Sequence, residues 1–229
     1  MTNNPIYCAI DTNDIKLALS LIEKIKESIG GIKLGLEFYT HCGIEGVNEI
    51  KALGLPIFID LKLFDIPNTA KSALHGILML KPEFTTLHIS GGSEMIRECV
   101  NIKNSNQSKT NLIGVTVLTS FDEYRIKEVG VHNSIDDQVL SLARLANENN
   151  LDGIVCSPQE IRRIKHETEN NLKLIVPGIR NIDDDTNDQK RTMNASEAIN
   201  AGADILVIGR PITMANDPAE AAYKIFKSL

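Results

Sequence analysis

The chain offers little on which a disulfide framework, a zinc site, a membrane span or a nucleic-acid groove could be built. Its four cysteines, Cys8, Cys42, Cys99 and Cys156, are widely scattered, and none falls in a CxxC pair or at zinc-ligand spacing from a histidine. They read as buried, reduced thiols of a reducing compartment. No apolar run approaches the roughly 18 residues of a membrane span, and the opening MTNNPIYCAIDTND has neither a basic start nor a long apolar stretch. A soluble, cytoplasmic chain is expected. The balance of 24 Lys+Arg against 30 Asp+Glu gives a net charge of −6, and no basic cluster exceeds Arg162, Arg163 and Lys165. A surface that tracks a phosphate backbone is therefore excluded, and any anionic ligand must be small and locally bound. Internal repeats and low-complexity segments are absent too.

What the chain does have is an ordinary globular profile, 42% hydrophobic and 24% charged, in 229 residues. At about 150 residues per domain that length amounts to roughly 1.5 domains, a value that a single α/β barrel commonly produces. One domain over residues 1–229 is expected. Short β-branched runs alternate with helical patterns from end to end, the signature of consecutive βαβ units. The strand candidates are Ile6–Asp11, Ile32–Glu37, Pro56–Lys62, Phe84–Ser90, Leu112–Thr119, Gly153–Ser157, Leu172–Gly178 and Ile205–Gly209. Helices are expected near Asp14–Ser28, Phe38–Leu53, Thr69–Leu80, Ser93–Lys103, Ile135–Asn149, Pro158–Glu167, Ala195–Ala201 and Pro218–Ser228. Eight alternations in this length fit a closed α/β (β/α)8 TIM barrel better than an open sheet. Two long connections after strands, 120–134 and 181–194, belong on the catalytic rim and read as lids, whereas the polar stretch 104–111 belongs on the opposite face.

Chemistry concentrates in Ile57-Phe58-Ile59-Asp60-Leu61-Lys62-Leu63-Phe64-Asp65-Ile66-Pro67-Asn68-Thr69. Side chains alternate faces along a strand, so Asp60 and Lys62 project together while Ile59 and Leu61 turn towards the helices. Taken alone, that pair is better explained as a structural ion pair at the barrel rim. Lys33 on the second strand and Asp11 at the end of the first change the picture, because the four form an array of alternating sign, with Asp65 three residues beyond Lys62. Flanking carboxylates favour protonated lysines, and a protonated Lys62 held at a reacting carbon is a general acid. Loops after the seventh and eighth strands form the recurrent phosphate site of such barrels. Here they begin Val176-Pro177-Gly178-Ile179-Arg180 and Ile208-Gly209-Arg210-Pro211, with two arginines suited to a phosphate dianion. His88, the acidic run Asp183-Asp184-Asp185 and Glu37 receive no role: a lone histidine at a strand end is ordinarily hydrogen-bonded framework, and successive loop carboxylates cannot all converge on a metal.

The segment Asp60 to Thr69, DxKxxDIPNT, resembles the signature of the bacterial-type orotidine 5′-monophosphate decarboxylases. Matching pieces recur in order at Asp11, Lys33–Gly35, His88–Gly92, Val115–Ser120, Val176–Arg180, Asp188–Gln189 and Gly209–Pro211. The resemblance implies decarboxylation of orotidine 5′-monophosphate to uridine 5′-monophosphate, the last step of pyrimidine nucleotide synthesis, with no metal and no organic cofactor. It assigns catalysis to Lys62, Asp60, Lys33 and Asp65, with Lys62 as proton donor. Ribose contacts fall to Asp11 and Lys33, a place near the pyrimidine to Thr119, and phosphate contacts to Arg180, Gly209 and Arg210, with Gln189 reaching from the lid between phosphate and base. It further implies a homodimer in which Asp65 and Thr69 enter the neighbouring site. Two alternatives stand beside it. One is a magnesium-dependent lyase or aldolase sharing DxKxxD, which would want a carboxylate where this chain has Lys33; the other is a nucleotide-binding protein without chemistry.

Overall fold

The computed structural model describes residues 4–169, 171–180 and 193–229. Eight parallel strands close into a barrel in chain order: β1 (Ile6–Ala9), β2 (Gly31–Gly35), β3 (Ile57–Leu63), β4 (Phe84–His88), β5 (Asn111–Val115), β6 (Gly153–Val155), β7 (Lys173–Val176) and β8 (Ile205–Ile208). Around it, among the described residues, run α1 (Ile15–Ile25), α2 (Leu36–Lys51), α3 (Pro67–Met79), α4 (Gly92–Ser105), α5 (Arg125–Glu128), α6 (Ile135–Glu148), α7 (Ile161–Glu167), α8 (Ala195–Ala201), α9 (Arg210–Thr213) and α10 (Pro218–Lys227). The (β/α)8 TIM barrel expected from the alternation is the fold observed, and α8 has the expected bounds.

Local chemistry sets the element ends. Asp14 caps α1 by accepting from the backbone N–H of Lys16 and Leu17, Ser134 caps α6 through Asp137 N–H, and Asn194 caps α8 through Glu197 N–H. Pro67 and Pro218 stand in the first turns of α3 and α10, where a missing N–H costs nothing. All strands but β3, which runs on to Leu63, stop earlier than the apolar runs suggest. β5 ends at Val115 rather than Thr119, because its last register partner, Val155, is also the last residue of β6. β1 likewise ends at Ala9, which leaves Asp11 on the rim loop. Glu37 lies exposed in the first turn of α2 rather than at a strand end. The 120–134 connection is partly built, with α5 inside it and Ile126 buried.

Alternation along each strand divides the core in two. Outward residues such as Ile6, Cys8, Ile32, Leu34, Ile59, Leu87 and Ile154 pack against the helices. Inward residues Tyr7, Phe58, Phe84, Ile113 and Ile175 plug the barrel. Phe84 meets Tyr7 and Phe58 edge-on, with ring centroids 5.4 and 5.8 Å apart. The Tyr7 hydroxyl donates to Glu83 Oε2 at 2.7 Å, so the one polar atom of the plug is satisfied. Burial first, then that carboxylate, holds the Tyr7 phenol well above its ordinary pKa. Above the plug, the inward positions of β2 and β3 carry Lys33, Asp60 and Lys62.

Three of the four cysteines are buried as expected; Cys42 is partly exposed on α2, and none is in a disulfide. The basic cluster is engaged locally, Arg163 with Asp136 and Asp137, and Lys165 with Asp204.

Phe84→Ala should remove the centre of the plug at a cost of about 3–5 kcal/mol, because a closed barrel cannot collapse around the void. Urea unfolding should report this as a lower midpoint with an unchanged slope.

Candidate active site

The inward residues at the C-terminal ends of the strands surround a cavity of about 550 Å3. The barrel register sets its charged wall. Lys33 lies opposite Ala9 on one side and Phe58 on the other, and Gly35 lies opposite Asp60, so the Lys33 side chain rises between β1 and β3 towards both acids. Lys33 Nζ donates to Asp11 Oδ1 at 3.2 Å and stands 3.8 Å from Asp60 Oδ2. Lys62 Nζ donates to that same Asp60 oxygen at 2.8 Å. The alternating order Asp11, Lys33, Asp60, Lys62 is therefore continuous. Gly35 makes room for it, since a β-carbon there would lie 2.8 Å from Lys33 Nζ.

Asp60 is the pivot. The residue is 8% exposed, and its carboxylate accepts from Lys62 through one oxygen and from the Thr86 hydroxyl through the other, at 2.9 Å. Burial alone would raise its pKa, but the charges of Lys62 and Lys33 and the hydrogen bonds from Lys62 and Thr86 outweigh it, leaving the group below its ordinary value. A buried carboxylate that stays ionised gives Lys62 a fixed anionic partner.

The second wall comes from the loops after β7 and β8. Pro177, Gly178, Arg180, Gly209 and Arg210 all border the cavity, as does Met214 just after α9. Gly178 has φ 78, a left-handed turn that glycine accepts without strain. Arg180 is 9% exposed; its Nη1 donates to Ile179 O at 2.7 Å and its backbone N–H to Met193 O at 3.0 Å, which joins residues 180 and 193. Val115, Val117, Val155, Ile175 and Val207 supply an apolar lining between the two walls, and Thr119 borders the same space.

Of the residues singled out from sequence, Asp11, Lys33, Asp60, Lys62, Thr119, Arg180, Gly209 and Arg210 all line this one cavity. Asp65 and Thr69 do not; both are exposed, on the loop after β3 and at the start of α3. Gln189 and the run Asp183–Asp185 lie outside the described residues. His88 departs from the framework reading. Its ring packs against Phe64 at 5.6 Å, and its buried Nδ1 has no hydrogen-bond partner among the described residues. Burial, then the Lys62 charge, keeps it below the ordinary histidine pKa against the pull of Asp60. Thr86 was not legible as part of the site, because a threonine inside a β-branched strand reads only as strand.

Because the folded-state pKa of Asp60 is depressed, its contribution to stability is complete above the unfolded value of about 3.9 and is lost as pH falls through the lower folded value. Asp60→Asn takes from Lys62 its carboxylate partner and leaves Lys33 only Asp11, and should cost about 3 kcal/mol at pH 7. The difference from the parent should shrink below about pH 4 in denaturant titrations.

Comparison with known proteins places this geometry. Residues 4–225 match the family described as "Orotidine 5'-phosphate decarboxylase / HUMPS family". The chain is 48% identical over 230 residues to the orotidine 5′-phosphate decarboxylase of Ehrlichia chaffeensis, covering 100% of this chain and 98% of that one. It is 45% identical to that of Paramagnetospirillum magneticum, covering 97% of each. The crystal structure of orotidine 5′-phosphate decarboxylase from Lactobacillus acidophilus superposes with a TM-score of 0.87 at 30% identity, over 98% of each chain. With a barrel of the same shape, an alternating charged wall and kinship over nearly its full length, the chain belongs to the orotidine 5′-phosphate decarboxylase / HUMPS family.

Proposed function

We propose that this chain is an orotidine 5′-monophosphate decarboxylase, releasing carbon dioxide to give uridine 5′-monophosphate, the closing step of pyrimidine nucleotide synthesis, with no metal or organic cofactor. One observation carries the reading: Asp11, Lys33, Asp60 and Lys62 alternate in sign along one wall of a cavity whose other wall bears Arg180 and Arg210. The arginines, with Gly209, hold the phosphate, and Gln189 reaches between phosphate and base; Asp11 and Lys33 hold the ribose hydroxyls; Thr119 lies by the base. The bond between the ring carbon and the carboxylate then breaks, its electron pair stays on the carbon, and carbon dioxide departs. The Lys62 ammonium stabilises that developing charge and donates the proton that quenches it, then regains one from water. Asp60 faces the substrate carboxylate, a like-charge contact that is relieved as carbon dioxide forms. Phosphate binding far from the reacting carbon supplies the energy for closure and water exclusion. The whole chain acts as one barrel domain.

A second copy completes the site in this reading. Asp65 and Thr69 lie outside their own cavity, beside Phe64 and Ile66, which are 62% and 68% exposed. Large apolar side chains flanking displaced polar ones suit a face covered by another subunit that receives those polar groups. Among the described residues no helix is long and apolar enough to cross a membrane, and the absence of disulfides suits a cytoplasmic enzyme.

The direct test follows loss of orotidine 5′-monophosphate absorbance with a chelator present. The parent chain should turn over undiminished, and Lys62→Ala should be folded and inactive. Nucleotide binding without turnover would point to a non-catalytic binding protein, and full loss of activity with chelator to a metal-dependent lyase. For the shared site, Lys62→Ala and Asp65→Asn proteins, each inactive alone, should regain activity on mixing as subunits exchange, since one site then has both groups. Lack of any regain with exchange demonstrated by mass spectrometry would contradict the shared site.

A further inference from the structure

Lys62 is where the third strand leaves regular geometry. Among the described residues, five that are not glycine have positive φ. Lys81, Gln107, Asn150 and Glu169 each follow the C-terminal cap of a helix, where a left-handed residue is an ordinary stop. Lys62, at φ 52, is the one inside a strand. Such backbone is unfavourable for a residue with a β-carbon, and it persists only where its surroundings hold it. The ladder slips at the same point. Ile59 lies opposite Thr85 and Leu63 opposite Leu87, so Asp60, Leu61 and Lys62 together face the single residue Thr86 of β4. A bulge of this kind re-aims a side chain at the cost of ladder hydrogen bonds.

The Thr86 side chain replaces those bonds. The backbone N–H of Lys62 donates to Thr86 Oγ1 at 2.9 Å, and the Thr86 hydroxyl donates to Asp60 Oδ1 at 2.9 Å. A hydroxyl has one proton and two lone pairs, so the two bonds are compatible and each fixes the other's direction. The remaining Asp60 oxygen receives Lys62 Nζ at 2.8 Å. A ring closes from the Lys62 backbone through Thr86 and Asp60 to the Lys62 ammonium. Thr86 is 0% exposed and does not border the cavity, so neither solvent nor substrate can stand in for it.

We infer that Thr86 is a positioning residue for the decarboxylation: its hydroxyl locks the left-handed bulge at Lys62 and the Asp60 carboxylate into one unit, and so sets where the ammonium points. The inference rests on the decarboxylase reading above. It concerns a residue that acts through Asp60 and Lys62 without contacting the nucleotide.

The test compares the parent chain, Thr86→Val and Thr86→Ser in the same absorbance assay, with thermal unfolding alongside. Valine keeps the shape and removes the hydroxyl; serine keeps the hydroxyl and removes the methyl. Thr86→Val should lower kcat about 10- to 100-fold, the scale of misplacing a reacting group by about an ångström, while KM changes little. The acid limb of its pH profile should move to higher pH, because Asp60 loses a donor that favours its charged form. Thr86→Ser should stay close to the parent in kcat and pH profile. Parent-like kcat and pH dependence in folded Thr86→Val would overturn the inference, as would a fall in Thr86→Ser equal to that in Thr86→Val. If Thr86→Val does not fold, the serine variant decides: parent-like kcat sustains the role of the hydroxyl, and collapse of kcat contradicts it. An inactive parent chain would instead sink the decarboxylase reading itself.

Discussion

Asp60 holds two lysines with one carboxylate oxygen, and the architecture of the cavity depends on that contact. Lys33 arrives from β2 at 3.8 Å and Lys62 from its own strand at 2.8 Å, while Thr86 occupies the other oxygen. Removing Asp60 would take from Lys62 its carboxylate partner and from Lys33 one of two, a costlier condition than a severed surface pair. The alternation therefore makes several buried charges tolerable in a place where each alone would be expelled. It also gives the site its directionality, because an ammonium anchored from one side presents its remaining protons to the cavity.

The rest of the barrel is organised around keeping that wall rigid. Below it, Tyr7, Phe58 and Phe84 fill the interior edge to face, and Tyr7 spends its hydroxyl on Glu83 at the opposite end. Phe58 serves both layers, belonging to the plug and bordering the cavity. Gly35 leaves the space that the Lys33 ammonium occupies, and the bulge in β3 aims Lys62 back at Asp60. Stability and chemistry thus occupy successive levels of one cylinder, with apolar packing fixing the strands whose ends carry charge.

Much of this was legible in the amino-acid order. Parallel strands buried on both faces read as apolar runs, so all eight were found, and the period of two placed Asp60 and Lys62 on one face. The apolar runs overshoot the C-terminal end of every strand but β3, most at β5, because apolar residues continue past the point where a neighbour remains to pair with. The side-chain direction at Lys62 came out correctly although simple alternation is not its cause: the left-handed residue and the slipped register depend on β4, which no local pattern reports. Thr86 was invisible for the same reason. A lone histidine at a strand end reads as hydrogen-bonded framework, whereas the His88 Nδ1 is buried without a partner among the described residues. Asp65 and Thr69 could be tied to the site only by family resemblance, since they stand outside the cavity of their own chain.

The claim that the alternating charges work as one unit is tested most directly by a double-mutant cycle on kcat/KM with Lys33→Gln and Asp60→Asn. If the array is a unit, either substitution alone forfeits most of what the pair supplies, and the double variant falls far short of the product of the two losses. Losses that simply multiply would mean that Lys33 and Asp60 act independently, and the array would then be a coincidence of neighbouring side chains.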